Sequence, residues 1–281
     1  MNRTRPRPIV LTIAGFDPSG GAGISADIRT IESFGCTAVA AITSITFQNS
    51  SRFAGAAHQS AASLRAQIES IVDEHEMAAV KIGMLPTAEI VREVARLIRE
   101  MNLPAPVVDP VMESTSGGQL MSDDAFEVFV TELLSLARVV TPNIPEAEKL
   151  AGINIGDEQG MRQAAARIRE LGARAVLVKG GHLKTQKSEV RSKQSERDPT
   201  IDLLDDGGEI TVFRGEWIET RNVRGTGCIL SAAIASCLAQ HVPLEKSVQM
   251  AKRFVSDAIR YAPRLQPEPV TLELTELGRE N

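Results

Sequence analysis

Short apolar runs alternate with amphipathic segments along most of the chain. Six runs have the length and composition of buried strands, and five stretches between them carry apolar residues at helical spacing. Continuous apolar strands separated by helices are typical of a parallel sheet covered on both faces. The pattern therefore predicts an α/β fold, a three-layer α/β/α sandwich with a mainly parallel central sheet. The strands are predicted at 8–15, 37–47, 78–84, 105–112, 137–143 and 173–181, and the helices at 22–34, 61–74, 87–101, 123–136 and 157–171.

The pattern changes after the sixth predicted strand. Residues 182–200 are charged and polar, which predicts a mobile loop, and 201–219 are typical of a hairpin that turns at the sequence DDGG. A helix beginning at the sequence GTGC and a final helix at about 244–261 complete the predicted core. The predicted organisation is a flexible tail at 1–8, a single domain at 9–262 and a C-terminal tail at 263–281.

Composition narrows the classes of function. Hydrophobic residues make up 43% and charged residues 24% of the 281 positions, as in ordinary globular proteins. The formal net charge of −5 gives no global basic field for nucleic acid or anionic lipid, so any phosphate site must be local. No run of 18 apolar residues occurs, and the three cysteines lack metal-ligand spacing. We therefore expect a cytoplasmic protein without nucleic-acid or membrane partners.

Each of the six predicted strands ends in a glycine-rich, polar or charged cluster. Ligands of open parallel sheets bind beyond the carboxyl ends of the strands, so we expect these clusters to form one site. Loops are polar in most proteins, and the identities of these residues therefore carry more weight than their polarity. In chain order the clusters are AGFDPSGGAG, TFQNS, KIGM, DPVMESTSGG, TPNIPEAE and VKGGH.

The sequence RGTGCILSAAIA places a thiol on the first turn of a predicted helix. The first N–H groups of a helix have no partner within it, and the helix dipole adds positive charge, so this turn suits an anion. The same turn favours the thiolate of Cys228, and we expect a lowered pKa for this thiol. The alternative is a tight turn at Gly225 and Gly227, with Thr226 as the helix cap and Cys228 packed as a small apolar residue.

Seven motifs in order resemble the ribokinase superfamily, and within it the hydroxymethylpyrimidine and phosphomethylpyrimidine kinases. They are LTIAGFDPSGGAGISADIRT, QN, VKIGML, VVDPVMESTSGG, TPNIPEAEKL, VLVKGGHL and RGTGCILSAAIA, and the resemblance runs from about Ile9 to Ala262. It implies a ribokinase-like fold and, with Mg²⁺, phosphoryl transfer from ATP to 4-amino-5-hydroxymethyl-2-methylpyrimidine and then to its monophosphate. It also favours a homodimer.

The resemblance assigns the phosphate chemistry to four of these clusters. The GTGC turn resembles the family's anion hole, with a thiol as proton acceptor where the sugar kinases have an aspartate. Carboxylate oxygens suit Mg²⁺ and a lysine suits nucleotide phosphates. Considered alone, Asp109 fits a turn residue before proline, and Glu146 fits an acid in the first turn of a helix. Lys179, considered alone, fits a solvated lysine at a strand end. The assigned residues are Cys228, Gly225, Thr226 and Gly227 as catalytic, Lys179, Asn143 and Arg224 as nucleotide-binding, and Asp109 and Glu146 as metal-binding.

The resemblance assigns the substrate pocket to the remaining clusters. Gln48 offers a donor and an acceptor side by side, which match the amine and ring nitrogen of an aminopyrimidine. Considered alone, the glycines fit a strained strand-to-helix loop and Asp27 a solvated helix residue. The pocket residues implied by the resemblance are Gln48, Asp27, Gly15, Ala22, Met84 and Val111.

The chain departs from the family pattern at three positions. The family usually has a small hydroxyl residue at Phe16 and a histidine at Arg224, and often an aspartate at Gly118. These departures bear on the substrate more than on the reaction. A pyridoxal or pyridoxine kinase is the alternative enzyme, because a cysteine-containing subgroup that resembles these kinases acts on vitamin B6. A non-catalytic pyrimidine-binding protein is a third hypothesis, and the complete set of phosphate-site residues argues against it.

Overall fold

The chain folds into alternating strands and helices, described by a computed structural model over residues 6–49, 52–114, 117–181, 200–215, 218 and 225–261. The strands are β1 Ile9–Phe16, β2 Thr37–Gln48, β3 Phe53–His58, β4 Ala79–Ile82, β5 Val107–Val108, β6 Val139–Val140, β7 Ala175–Lys179, β8 Thr200–Asp206 and β9 Glu209–Gly215. The α-helices are α1 Gly23–Ser33, α2 Ala61–Val72, α3 Ala88–Glu100, α4 Asp123–Val128, α5 Ile144–Ala151, α6 Glu158–Glu170, α7 Thr226–Ala239 and α8 Leu244–Tyr261.

The strands form one sheet in the order β3-β2-β1-β4-β5-β6-β7-β8-β9. The pairs from β2 through β7 are parallel, whereas the pairs β2–β3, β7–β8 and β8–β9 are antiparallel. Side chains alternate across this sheet, so that Leu11 and Ile13 of β1 enter one apolar core and Val10 enters another. The first core includes residues of α2 to α6, and the second includes residues of α1, α7 and α8. The predicted three-layer fold with a mainly parallel sheet is confirmed.

Several predicted elements have different bounds. The strands predicted at 105–112 and 137–143 shorten to two residues each, β5 and β6. Pro110 and Pro142 follow them closely and offer no N–H to a neighbouring strand. The predicted helix at 123–136 begins as α4 and continues as a π-turn at Phe129–Leu133 and a 3₁₀ turn at Leu134–Leu136.

The hairpin predicted at DDGG is confirmed as β8 and β9, with Gly207 and Gly208 at positive φ in the turn. The antiparallel edge strand β3 and the short helix α5 were not among the predicted elements. Most of the predicted mobile loop, 182–199, and the predicted tails at 1–5 and 263–281 lie outside the described residues. Among the helices that the structure describes, none has the length and apolar composition needed to cross a bilayer.

Candidate active site

The carboxyl ends of the parallel strands gather the predicted site residues on one edge of the sheet, called here the carboxyl rim. Gln48 is the last residue of β2, and Lys179 is the last residue of β7. Asp109 follows β5 directly, and its N–H donates to the carbonyl of Ile82 at the end of β4, 2.9 Å away. Strands that are far apart in sequence therefore deliver these side chains to one edge, as the ligand rule for parallel sheets predicts.

Two glycines allow the loop after β1 to pack against the start of α7. A Cβ atom at Gly23, where φ is +56°, would lie 2.2 Å from the carbonyl oxygen of Gly15. A Cβ atom at Gly225, where φ is +78°, would lie 2.1 Å from the carbonyl oxygen of Gly21. Only glycine fits both the backbone conformation and the separation at these positions. The glycine-rich loop and the GTGC turn are thus one surface, and Ala22 is the N-cap of α1 within it.

The N-terminus of α7 lies on the rim. Its N-cap is Gly225 and not Thr226, which is the first helical residue. The first N–H that reaches back to the cap belongs to Ile229, 2.9 Å from the carbonyl of Gly225. Helix geometry leaves the preceding N–H groups, those of Thr226, Gly227 and Cys228, without acceptors inside the helix. The turn has the form of an anion site.

A lysine and a carboxylate sit directly against this turn. The Nζ of Lys179 donates to Oδ1 of Asp109 at 2.8 Å, and Oγ1 of Thr141 donates to the same oxygen at 3.2 Å. A Cβ atom at Gly227 would lie 3.2 Å from the Lys179 Nζ and 3.3 Å from Oδ2 of Asp109. The second glycine of the GTGC turn therefore lets α7 approach the Lys179 ammonium and the Asp109 carboxylate. Phosphoryl transfer needs a positive charge beside the phosphate and a ligand for its metal counter-ion, and these two groups suit those needs.

Glu146 is fixed beside them by a capping box. The side chain of Asn143 accepts from the Glu146 N–H at 2.9 Å, and Oε2 of Glu146 accepts from the Asn143 N–H at 2.8 Å. Asn143 also pairs with Lys179 through an isolated parallel bridge, so its structural role is to position Glu146 next to β7. Burial raises the pKa of Glu146 to about 7, opposed by the Lys179 ammonium and assisted by the Asp109 carboxylate.

Lys179 is charged at neutral pH. Burial alone would lower its pKa, but the carboxylates of Asp109 and Glu146 raise it to about 12. The side chain of Lys179 is 16% exposed, so the alternative of a solvated lysine at a strand end does not describe it. A persistent cation beside the helix N-terminus fits a contact with a nucleotide phosphate.

The expected lowering of the Cys228 pKa is wrong. Burial raises the pKa of this thiol to about 11, because the loss of water outweighs the attraction of the Lys81 ammonium. The carboxylates of Asp27 and Asp109 raise it further, while a hydrogen bond from the Gly23 N–H favours the thiolate. The prediction considered the helix dipole, whose effect is limited to a few tenths of a kcal/mol up to about 2 kcal/mol, and could not include the burial.

A buried ion pair lies behind the thiol, and sequence analysis missed half of it. The Nζ of Lys81 donates to Oδ2 of Asp27 at 2.7 Å, and the hydroxyl of Thr12 donates to the same oxygen at 2.6 Å. Two donors on one oxygen indicate an ionised carboxylate. Burial by itself would lower the pKa of Lys81, but the Asp27 carboxylate raises it above its usual range. Burial raises the pKa of Asp27, and Lys81 and Thr12 oppose that rise. The two donors on one carboxylate oxygen favour the state in which both groups are charged.

Asp27 is fully buried, which bears on its expected role as a pocket residue. Its side chain has no exposed surface, and among the described residues its Oδ1 has no hydrogen-bond partner. It therefore acts on the rim through its charge rather than as an exposed substrate contact. Lys81 carried a signal in the sequence, since a lysine inside the apolar run AAVKIGM must find a buried partner.

The other predicted pocket residues occupy the rim at β1, β2, β4 and β5. A Cβ atom at Gly15 would lie 2.9 Å from Sδ of Met84, so the missing side chain lets Met84 close over the end of β1. Gln48 is partly exposed, and Val111 donates its N–H to the carbonyl of Asp109 at 2.8 Å. Arg224 lies outside the described residues.

The described carboxylates fit a magnesium ion only with help from other ligands. No group of three or more His, Cys, Asp or Glu side chains placed to hold a metal ion occurs in the part of the chain that the structure describes. Lys179 interacts electrostatically with the carboxylates of both Asp109 and Glu146, which places the two acids near one another. Such a pair suits Mg²⁺, which takes one or two carboxylates and completes its shell with water and phosphate.

Comparison with known proteins finds relatives that match most of the chain. The thiamine biosynthesis bifunctional protein ThiED of Geobacter sulfurreducens is 40% identical over 257 residues, 92% of this chain, which spans 50% of that protein. The pyridoxal kinase of Staphylococcus aureus, solved in complex with AMP-PCP and pyridoxal, superposes with a TM-score of 0.84 at 28% identity, covering 98% of this chain and 96% of that chain.

Two further matches extend over nearly all of the chain. The hydroxymethylpyrimidine/phosphomethylpyrimidine kinase of Rhizobium meliloti is 43% identical over 259 residues, which cover 92% of this chain and 92% of that protein. The family model described as phosphomethylpyrimidine kinase matches residues 17–272. Since this match runs from within the glycine-rich loop through the GTGC turn, the chain belongs to the phosphomethylpyrimidine kinase family.

Proposed function

We propose that this protein uses ATP to phosphorylate 4-amino-5-hydroxymethyl-2-methylpyrimidine and then its monophosphate, the reactions that give the pyrimidine diphosphate for thiamine biosynthesis. The observation that carries the proposal is the approach of the α7 N-terminus to Lys179 and Asp109, where Gly227 leaves room for both side chains. Phosphoryl transfer needs little beyond alignment and charge neutralisation, and this turn offers both.

The residues at this turn divide the work between them. The N–H groups of Thr226, Gly227 and Cys228 bind the oxygens of the transferred phosphoryl group, and Lys179 neutralises part of its charge. Asp109 and Glu146 would hold Mg²⁺, and the ion would supply charge neutralisation to the phosphates. Cys228 accepts the proton of the attacking hydroxyl group, which requires the thiolate form.

Gln48 binds the aminopyrimidine edge, and Met84 and Val111 supply apolar walls. Gln48 ends β2 at the rim and is partly exposed, which places it where a ligand of the sheet would bind. Asp27 and Lys81 lie behind the site as a charged pair. Arg224 precedes the anion turn in the sequence, and a phosphate contact remains part of the proposal for it.

We predict that Gln48→Ala weakens pyrimidine binding by about 1 to 3 kcal/mol, or roughly 5- to 150-fold, because the polar ring edge is then buried without partners. The affinity for ATP should be unchanged. Isothermal titration calorimetry with each ligand measures both, and Gln163→Ala on the exposed side of α6 is the matched control. Unchanged pyrimidine affinity would remove Gln48 from the site, and equal loss of both affinities would indicate damage to the fold.

The alternative substrate is pyridoxal. The superposition with the Staphylococcus aureus pyridoxal kinase favours it, because the backbones agree over nearly the whole chain. The 43% identity to the Rhizobium meliloti kinase favours the pyrimidine, since pocket side chains follow sequence more closely than backbone does. We further infer a cytoplasmic homodimer without nucleic-acid partners, supported by the net charge of −5 and by the family resemblance.

An ADP-release assay with the aminopyrimidine alcohol, its monophosphate and pyridoxal tests the proposed function. We expect both pyrimidines to be phosphorylated with a higher kcat/KM than pyridoxal. A higher kcat/KM for pyridoxal would establish the alternative enzyme, and binding of the pyrimidine without ADP release would establish a non-catalytic protein.

A further inference from the structure

An aromatic ring fills the space beside a glycine in the loop that follows β5. A Cβ atom built at Gly118 would lie 2.5 Å from Cδ1 and 3.0 Å from Cε1 of Phe53. Carbon atoms in van der Waals contact are about 3.5 to 4 Å apart, so any side chain at 118 would displace the ring. Phe53 belongs to the edge strand β3, and the contact therefore joins this strand to a separate part of the rim.

Gly118 is held in position by its own loop. Its N–H donates to Oγ of Ser114 at 2.8 Å, and its carbonyl accepts from the Ser114 N–H at 2.7 Å. The N–H of Gly117 donates to the Ser114 carbonyl at 2.9 Å. Because these bonds fix the backbone at Gly118, the ring of Phe53 meets a firm surface rather than a yielding one.

The ring lies beside Gln48 on the arm formed by β2 and β3. The register of these strands shifts between Phe47 and Gln48, where Ala54 is left unpaired, and beyond the shift Gln48 and Phe53 are cross-strand partners. Such partners project from one face with Cβ atoms about 4.5 to 5.5 Å apart. Phe47, the preceding residue, projects from the opposite face and is 54% exposed. A flat ring bound by the Gln48 amide would therefore meet Phe53, whose far side rests on Gly118.

We propose that Phe53 and Gly118 form the outer wall of the substrate pocket and determine which flat heterocycle fits beside Gln48. The inference rests on the proposed function and deepens it. The phenyl ring contacts the substituents of the bound heterocycle, and the backbone of Gly118 keeps the phenyl ring from retreating. A pyridine that carries more substituents than the aminopyrimidine is excluded by this wall, whereas the smaller pyrimidine is accepted.

The test compares kcat/KM for the aminopyrimidine alcohol and for pyridoxal in the wild type and three variants. Phe53→Ala removes the wall and should lower the pyrimidine-to-pyridoxal ratio of kcat/KM about tenfold, the usual effect of a small change in pocket volume. Gly118→Ala pushes the ring from behind toward the bound heterocycle and should raise this ratio, because the larger pyridine loses more of its space. The variant with both substitutions should equal Phe53→Ala alone, because no ring is left to displace. Melting temperatures show whether each variant is folded, and Phe53→Leu replaces Phe53→Ala if the latter does not fold.

Phe47→Ala is the matched control, since it removes a phenyl ring from the other face of the same arm and should leave the ratio unchanged. An equal fall of kcat/KM for both substrates in Phe53→Ala, or an equal shift of the ratio in Phe47→Ala, would show that the ring only supports the arm and would overturn the proposal. Failure of the wild type to phosphorylate either ring would instead overturn the proposed function, and that result is visible before any variant is made.

Discussion

Cys228→Ala is expected to lower kcat by about 10² to 10⁴ while leaving the affinities for ATP and the pyrimidine nearly unchanged. A positioned proton acceptor contributes a factor of this size, and the N–H groups that bind phosphate belong to the backbone and survive the substitution. Cys228→Ser should be nearly as slow, because a serine hydroxyl fills the space but stays protonated. Steady-state kinetics and equilibrium binding separate the two effects.

The pH dependence of the wild type gives an independent measurement. Burial raises the pKa of Cys228 to about 11, so the thiolate fraction grows about tenfold per pH unit from pH 7 to 10. With chemistry rate-limiting, kcat should rise with that slope and show no plateau below about pH 10. The rise should disappear in Cys228→Ala, since no thiol remains to titrate.

A second cysteine in the same helix provides the control. Cys237 is buried in α7 more than two turns from Cys228, and Cys237→Ala should keep the wild-type kcat and its pH profile. Near-normal kcat in Cys228→Ala would reject the proton-acceptor role and leave Cys228 as a small residue behind a glycine turn. A plateau at neutral pH in the wild type would contradict the raised pKa.

The central strands could be predicted because burial on both faces leaves mostly apolar residues in them. β7, with the sequence AVLVK, is buried at four of its five positions and lies within the strand predicted at 173–181. The edge strand β3 could not be predicted, because FAGAAH is partly exposed and contains small residues and a glycine. Its pairing with β2 is a tertiary contact that no local pattern encodes.

The meeting of several predicted site residues at one rim could be predicted from the sequence, but their pKa values could not. Strand ends delivered Asp109 and Lys179 to one rim, 70 residues apart in sequence and 2.8 Å apart in space. The direction of the Cys228 pKa was wrong, because it depends on how much water the surrounding loops exclude. The role of Gly118 is likewise visible only with Phe53 in place.

Lys81 is a residue whose environment the sequence indicates only in part. A lysine in the middle of an apolar strand signals a buried charge that needs a partner. The partner, Asp27, lies on α1, 54 residues earlier in the chain, and nothing in its own surroundings in the sequence distinguishes it from a solvated helix residue. The sequence therefore identifies the requirement for a partner, and only the packing of α1 on the sheet identifies Asp27.

Lys81→Met is expected to lower the free energy of unfolding by about 3 to 5 kcal/mol at neutral pH, the usual cost of leaving one member of a buried pair without its partner. Methionine retains most of the side-chain volume, so the loss reports the charge rather than a cavity. In the wild type the pKa of Lys81 is raised, so its ammonium is charged at neutral pH and contributes fully to stability. This contribution is lost as the pH rises through the pKa that Lys81 has in the folded protein. Urea unfolding near pH 7 measures the difference.

The lost stability should return as the pH of the variant is lowered. Without Lys81 the buried Asp27 binds a proton more readily than it does in the unfolded chain, where its pKa is about 3.9. The folded state then holds more protons than the unfolded state above that pH, so stability falls as the pH rises from about 4. The slope reaches about 1.4 kcal/mol per pH unit until Asp27 is ionised in the folded state.

Adding Asp27→Asn to Lys81→Met removes the unpaired charge and separates charge from packing. The double variant should recover most of the stability lost at pH 7. Its free energy of unfolding should also lose the pH dependence that Asp27 causes in Lys81→Met. Thr12 can still donate its hydroxyl to the amide oxygen of asparagine, so the local geometry is retained. Equal losses in the single and double variants, with the same pH dependence, would show that packing sets the stability here and would reject an ionised Lys81–Asp27 pair behind the thiol.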